Sequence, residues 1–191
     1  MTRLEAYVEL LTAWNRRINL IGPRTVGDIW RRHILDSAQL FPLIPPRARV
    51  LLDIGSGAGL PGLVLAVLGV PTVHLIESDQ RKCVFLREAA RITGAGVEIH
   101  AKRLEKCRPF SADVITARAF ALLPDLLDQA FEFVDIHTIL LIPKGKSVGE
   151  ELTEAGKEWK MRATLHPSVS DPSGTVLRLE QVTRAEHRGT A

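Results

Sequence analysis

Ten residues, Asp53-Ile54-Gly55-Ser56-Gly57-Ala58-Gly59-Leu60-Pro61-Gly62, constrain this chain more than any other stretch of equal length. They follow the apolar run Val50-Leu51-Leu52, which suits a short buried strand, and they lead into Leu63-Val64-Leu65-Ala66, which suits a helix packed on a sheet. Alternate glycines let the backbone turn tightly and approach a ligand with no Cβ in the way, and Pro61 is compatible with the first turn of a helix. A strand, a glycine turn and a helix in that order form the ligand-binding end of an open α/β sheet.

The segments that follow fit such a sheet. Strand-like runs fall near 49–54, 72–77, 97–100, 112–117 and 136–142, and helix-like runs near 61–69, 79–93 and 122–133, an alternation that predicts parallel strands with crossover helices. A further helix over Glu150 to Lys157 and two strand-like runs, Met161 to His166 and Thr175 to Thr183, would close the sheet with an antiparallel hairpin turned at Asp171-Pro172-Ser173-Gly174. The expected architecture is one Rossmann-like α/β domain over 47–184, a mostly parallel, twisted, seven-stranded sheet with helices on both faces. A tail over 185–191 is expected to fray.

Before the sheet, a helical arm is expected over 1–46, packed on the core. Leu4, Tyr7, Val8, Leu11, Trp14 and Ile18 recur at helical spacing, and a second helix capped by Thr25 is expected to run through Ile29, Ile34 and Leu40 to the prolines at 42, 45 and 46. Although net charge is only +3, the first 50 residues hold eight arginines against four acids, and no lysine occurs before Lys82. Guanidinium forks bind phosphate in a way that ammonium groups do not, so Arg16, Arg17, Arg31 and Arg32 are candidate nucleic-acid contacts; a solvated helix face would look the same.

Other classes are disfavoured. No apolar run approaches the length of a membrane span, and the start lacks the layout of an export signal, so a soluble, cytoplasmic protein is expected. Cys83 and Cys107 stand 24 positions apart without a CxxC or CxxH partner, which points to neither a disulfide framework nor a metal site. Both are expected to be structural or incidental. Nothing in the pattern demands a partner subunit, and a monomer is expected.

The identity of the cofactor turns on charge. Gly57-x-Gly59-x-x-Gly62 also matches the dinucleotide fingerprint, with Glu77 twenty residues after Gly57 where a ribose-binding acid belongs. Yet the strand ends before Gly55, and only 46 residues follow Gly145, too few for a dehydrogenase substrate domain. An acid two residues before the first glycine is the usual opening of class I methyltransferases. S-adenosyl-L-methionine carries an ammonium, a sulfonium and a neutral ribose, so its site calls for carboxylates. Glu77 could accept both ribose hydroxyls, or merely neighbour a helix cap; Asp53 could meet the methionine end or hold the loop.

Trp14-Asn15-Arg16-Arg17-Ile18-Asn19-Leu20, Arg32-His33-Ile34-Leu35-Asp36-Ser37, the Asp53 to Gly62 loop, Arg118-Ala119-Phe120-Ala121 and Pro143-Lys144-Gly145 occur in the order and spacing of one family. Over nearly its whole length the chain resembles the RsmG (GidB) methyltransferases. The resemblance implies methyl transfer from S-adenosyl-L-methionine to N7 of a guanosine in 16S ribosomal RNA, with that RNA or the small subunit as partner. It implies cofactor contacts at Gly55, Leu60, Leu104, Glu105 and Arg118; with the residues argued above, the expected cofactor set is Asp53, Gly55, Gly57, Gly59, Leu60, Glu77, Leu104, Glu105 and Arg118. Relative to that family, the chain starts near the second N-terminal helix.

Guanine N7 has a lone pair and no proton to lose, so no general base is expected and positioning carries the reaction. The segment Thr116-Ala117-Arg118-Ala119-Phe120 lacks both the Asn/Asp-Pro-Pro-Tyr run of exocyclic-amine methyltransferases and a Pro-Cys nucleophile. Arg118 is the expected positioning residue, with an ordinary ion pair as the alternative. Phe120 is expected in the core, with guanine stacking as its functional alternative. Lys144 suits an RNA phosphate or plain solvation, and His33, on one helix face with Asp36, suits a hydrogen-bonded structural role. A noncatalytic RNA-binding or ribosome-assembly module with a vestigial pocket is the competing function.

Overall fold

The computed structural model describes residues 2–185; the tail expected to fray lies, from residue 186 on, outside the described residues. Seven strands form one sheet in the order β3-β2-β1-β4-β5-β7-β6. β1 (Val50–Ile54), β2 (Thr72–Ile76), β3 (Val97–His100), β4 (Val114–Ala117) and β5 (Ile139–Lys144) are parallel, while β6 (Trp159–Pro167) and β7 (Thr175–Arg184) form the antiparallel hairpin. β7, the last described strand, inserts between β5 and β6 and leaves β6 at the edge of the sheet.

Side chains of a strand alternate between faces, and here they feed two cores. Leu51, Val73, Leu75 and Val114 pack with α1 (Arg3–Asn15), α3 (Gly62–Leu68) and α4 (Gln80–Thr93). Leu52, Ile54, Ile76 and Ile115 pack on the other face with α5 (Leu123–Ala130) and α6 (Val148–Ala155). Asp79 caps α4 by accepting from the amides of Arg81 and Lys82, and Gly94 ends it in the left-handed region.

The arm docks through buried Tyr7 and Leu11, whose neighbours include Phe85; the Tyr7 hydroxyl donates to the Ala58 carbonyl at 2.6 Å. Two expectations need correcting. α1 stops at Asn15, because the Asn15 carboxamide oxygen accepts from the amides of Leu20 and Ile21 at 2.9 Å each and turns the chain back. Nor does a regular helix follow Thr25. Instead a 3-10 turn (Pro23–Asp28), a π-helical segment (Trp30–Leu35) and the short α2 (Asp36–Ala38) follow one another. Thr25 does not cap them: its hydroxyl donates to the Gly22 carbonyl and also contacts His33 Nε2 at 2.7 Å.

Candidate functional site

The glycine loop leaves β1 at the carboxyl edge of the sheet, where the strand order reverses between β1 and β4. Two hollows meet there, of about 700 and 370 Å³. Gly55 and Phe120 belong to both. The larger hollow is further lined by Gly57, Leu60, His33, Asp36, Arg118 and Asp171, the smaller by Glu77, Lys102, Leu104, Glu105 and Gln129.

Glu77, which follows β2, is 8% exposed and forms no ion pair with any described residue. Its carboxylate is fixed by the backbone, with Oε2 accepting from the Gly57 amide at 2.9 Å and Oε1 from the Asp79 amide at 2.8 Å. Each oxygen keeps a further lone pair on the wall of the smaller hollow, which is the acceptor pattern that a vicinal diol requires. Leu104 and Glu105, from the turn after β3, add an apolar surface and a second carboxylate to the same hollow. The Glu77 acceptors fit the hydroxyls of a neutral ribose.

Asp53 takes the other role left open for it. It is fully buried beneath the loop and lines neither hollow. Oδ1 accepts from the Thr116 hydroxyl at 2.7 Å, while Oδ2 has no hydrogen-bond partner. Burial raises its pKa to about 6, an effect that the Thr116 hydrogen bond opposes. Gly62 makes this arrangement possible, since a Cβ there would lie 2.7 Å from Asp53 Cβ and 2.5 Å from Leu75 Cδ2. Gly59 likewise packs against Leu63 and Leu86 and lines neither hollow.

The segment after β4 is held at three points. Arg118 reaches into the arm, its Nη1 lying 3.0 Å from His33 Nδ1 and 3.4 Å from both Asp36 Oδ2 and the Arg32 carbonyl. Desolvation, followed by the Arg118 charge, lowers the His33 pKa to about 4, so the ring is neutral and its Nδ1 accepts. His33 and Asp36 thus do share one helix face, directed at Arg118. Phe120 is 37% exposed, which corrects the expectation of a core residue. Ala119 adopts φ +50° and turns the Phe120 ring over Gly55, where a Cβ would sit 2.5 Å from ring Cδ2; only glycine fits under the ring.

The third point corrects Lys144. Its side chain is only 10% exposed and is no free cation: Nζ donates to Glu151 Oε2 at 2.6 Å and to the Ala121 carbonyl at 3.2 Å. The same Glu151 oxygen accepts from the Leu123 amide at 2.9 Å. Sequence spacing gave no sign of this clamp, because Glu151 looks like an ordinary first-turn acid of α6.

The expected nucleic-acid arginines divide into two groups. Arg16 and Arg17 are exposed and pair with no described residue, and Arg17 borders a hollow with Asn19, Asp79, Arg81 and Lys82. Arg31 is bound to Asp28 at 2.6 Å, and Arg32 to Asp171 at 2.6 Å. The Asp171 turn, seen in the sequence only as a hairpin connection, therefore forms part of the wall of the larger hollow. Cys83 and Cys107 are both buried and free, and burial raises both thiol pKa values.

Residues 1–175 match the family model described as GidB, rRNA small subunit methyltransferase G. The chain belongs to this family. A relative named ribosomal RNA small subunit methyltransferase G from Paramagnetospirillum magneticum is 54% identical over 184 residues, covering 96% of this chain and 90% of the relative. One of the same name from Rhodospirillum rubrum is 54% identical over 183 residues, covering 96% and 91%. Among solved structures, a ribosomal protein L11 methylase from Lactobacillus delbrueckii subsp. bulgaricus is similar with a TM-score of 0.63 at 14% identity, over 78% of this chain and 77% of that one. An O-methyltransferase from Bacillus cereus in complex with SAH gives a TM-score of 0.62 at 13% identity, over 93% and 90%. These structures share the class I methyltransferase fold expected from the sequence.

Proposed function

We propose that this protein transfers a methyl group from S-adenosyl-L-methionine to N7 of a guanosine in 16S ribosomal RNA. Family membership over residues 1–175 carries this conclusion. The competing noncatalytic module is not favoured, since relatives at 54% identity bear the name of a methyltransferase.

When bound, S-adenosyl-L-methionine supplies an electrophilic methyl on sulfur. The chain's part is to bind and align. Glu77 would accept hydrogen bonds from the ribose hydroxyls, Leu104 and Glu105 would flank the adenine, and the Gly55–Gly57 turn with Leu60 would border the methionine end. Asp53 and Gly59 hold the loop from beneath. The larger hollow receives guanine, and the two ligands meet at Gly55 beside the Phe120 ring, which offers a stacking face. Arg118 is a positioning residue that fixes the 118–122 segment against the arm. Guanine N7 has a lone pair and no proton to lose, so no side chain need act as a base, and the residues of the chain would contribute by holding the two ligands against each other.

RNA phosphates are received by Arg16 and Arg17, together with Arg81 and Lys82 around the Arg17 hollow, and by Arg31 after release from Asp28. Arg32 serves after release from Asp171, whereas Lys144 is assigned to the fold. The protein acts as a single copy in the cytoplasm, where its RNA resides; among the described residues, no helix is long and apolar enough to cross a membrane. The test is methyl incorporation from labelled cofactor into ribosomal RNA of a strain lacking the gene, with the product mapped by N7-specific cleavage. One labelled guanine in 16S RNA is expected. Incorporation elsewhere, or none despite cofactor binding, would overturn the assignment.

A further inference from the structure

β3 is the outer strand of the sheet, and the chain from β3 to β4 forms only a single 3-10 turn, Leu104–Lys106, where the other parallel connections carry a helix. Val73, Leu75, Val97 and Ile99 pack into the first core from one face of β2 and β3. The opposite face carries His74, Glu98 and His100. His74 and Glu98 are register partners, and His100 follows two positions along the same strand. Phe110 from the connecting segment lies on His74, with ring centroids 4.4 Å apart, and shields both imidazoles, whose side chains are 14% and 16% exposed. Glu98 remains 64% exposed at the rim.

Three donors converge on one point. His74 Nδ1 and His100 Nε2 are 3.0 Å apart, Glu98 Oε2 is 3.4 Å from the first and Oε1 is 3.5 Å from the second. One proton shared between the imidazoles accounts for the shortest contact, but the carboxylate stands too far from either nitrogen for a good hydrogen bond. The two carboxylate contacts end on different oxygens, and with the N–N distance they lie near the ligand–ligand spacing of about 3.3 Å that metal–ligand bonds of about 2.0–2.1 Å require. Two imidazoles and a carboxylate suit zinc and similar borderline ions; calcium and magnesium prefer all-oxygen sets.

We propose that His74, Glu98 and His100 form a binding site for a divalent cation of the zinc class, with a fourth position open to water on the Glu98 side. The site lies outside the two hollows, but it is joined to them through the backbone, since the His100 carbonyl accepts from the Glu77 amide at 3.2 Å. A bound ion would pin β3 to β2 behind the carboxylate that faces the smaller hollow.

The test uses the full chain, stripped with chelator and titrated with Zn²⁺ by calorimetry and with Co²⁺ by visible absorption. One equivalent is expected, with cobalt showing the d–d bands of a four-coordinate ion. Glu98→Gln, at an exposed position, keeps the fold and should weaken binding by about tenfold or more, and His100→Asn should abolish the cobalt bands. No uptake by the natural sequence would overturn the proposal. So would undiminished affinity in Glu98→Gln, which would move the metal to other histidines. Circular dichroism of each variant separates loss of the site from loss of the fold.

Discussion

Glu151→Gln should cost far more stability than an acid in the first turn of a surface helix would suggest. In the native protein Lys144 and Glu151 are each 10% exposed and 2.6 Å apart, and the carboxylate also accepts from Leu123 N and Ser147 Oγ. The carbonyl oxygen of glutamine can still accept from Leu123 and Lys144, but the substitution removes the negative charge opposite a mostly buried ammonium and turns an amide donor toward Ser147. Breaking one side of a buried pair costs about 3–5 kcal/mol, against about 0–1 for an exposed pair. Lys144→Met should cost less, because the remaining carboxylate keeps two donors and can take up a proton. The double substitution should then cost less than the two single losses added together, by about 1–3 kcal/mol, since neither charge is left alone. Equilibrium urea denaturation at neutral pH measures all four proteins. A loss below about 1 kcal/mol for Glu151→Gln, or simple additivity, would show that the pair is solvated and refute the reasoning. Because Glu151 and Lys144 bind both sides of Leu122, cofactor affinity should fall in the single variants while they remain folded.

Gly62→Ala should lose about 1–3 kcal/mol, since its new Cβ meets Asp53 and Leu75 inside the core; an unchanged melting temperature would contradict the close packing. Arg118→Lys should lower cofactor affinity or turnover roughly tenfold to a hundredfold, because the shorter lysine side chain stops short of the point where Nη1 meets His33, Asp36 and the Arg32 carbonyl; activity equal to that of the natural sequence would remove Arg118 from the site. The His33 pKa is lowered to about 4, so between there and its unfolded value the unfolded chain binds the extra proton, and this residue's contribution to stability rises with pH. Asp53, raised to about 6, acts in the opposite sense over much of the same window, as its folded form holds the proton more tightly. The difference in stability between the natural sequence and His33→Asn isolates the histidine and should grow from pH 4 to pH 6.5; a flat difference would refute the assignment. Arg16→Ala with Arg17→Ala should flatten the dependence of log RNA affinity on log salt by about 0.7–0.9 per charge, measured by filter binding from low to moderate salt.

The parallel strands and the glycine loop were legible because each depends on local pattern: apolar runs of strand length, alternate glycines and acids at strand ends. Local pattern placed Glu77 on the carboxyl edge and the family resemblance added Leu104 and Arg118, and the structure gathers the three there. What escaped was set by contacts distant in sequence. The Trp30–Leu35 segment has apolar spacing that fits an α-helix, and nothing local marks the shift to π geometry that aims His33 and Asp36 at Arg118. Lys144 looked free because its partner lies on a different element, and Phe120 looked like core because the positive φ of Ala119 has no signature in an alanine. His74 stands 26 positions from His100, and only strand register unites them.

The N-terminal arm and the turn before β7 meet at the larger hollow. Arg32 holds Asp171, and Arg31 donates to the Ser170 carbonyl, so the N-terminal arm is fastened to the turn between the last two strands. The arm is made long before that turn, and β7 cannot take its place beside β5 until the chain has been made through residue 184. Contacts of such long sequence separation form late. A newly made molecule should therefore complete this wall of the larger hollow late in its folding.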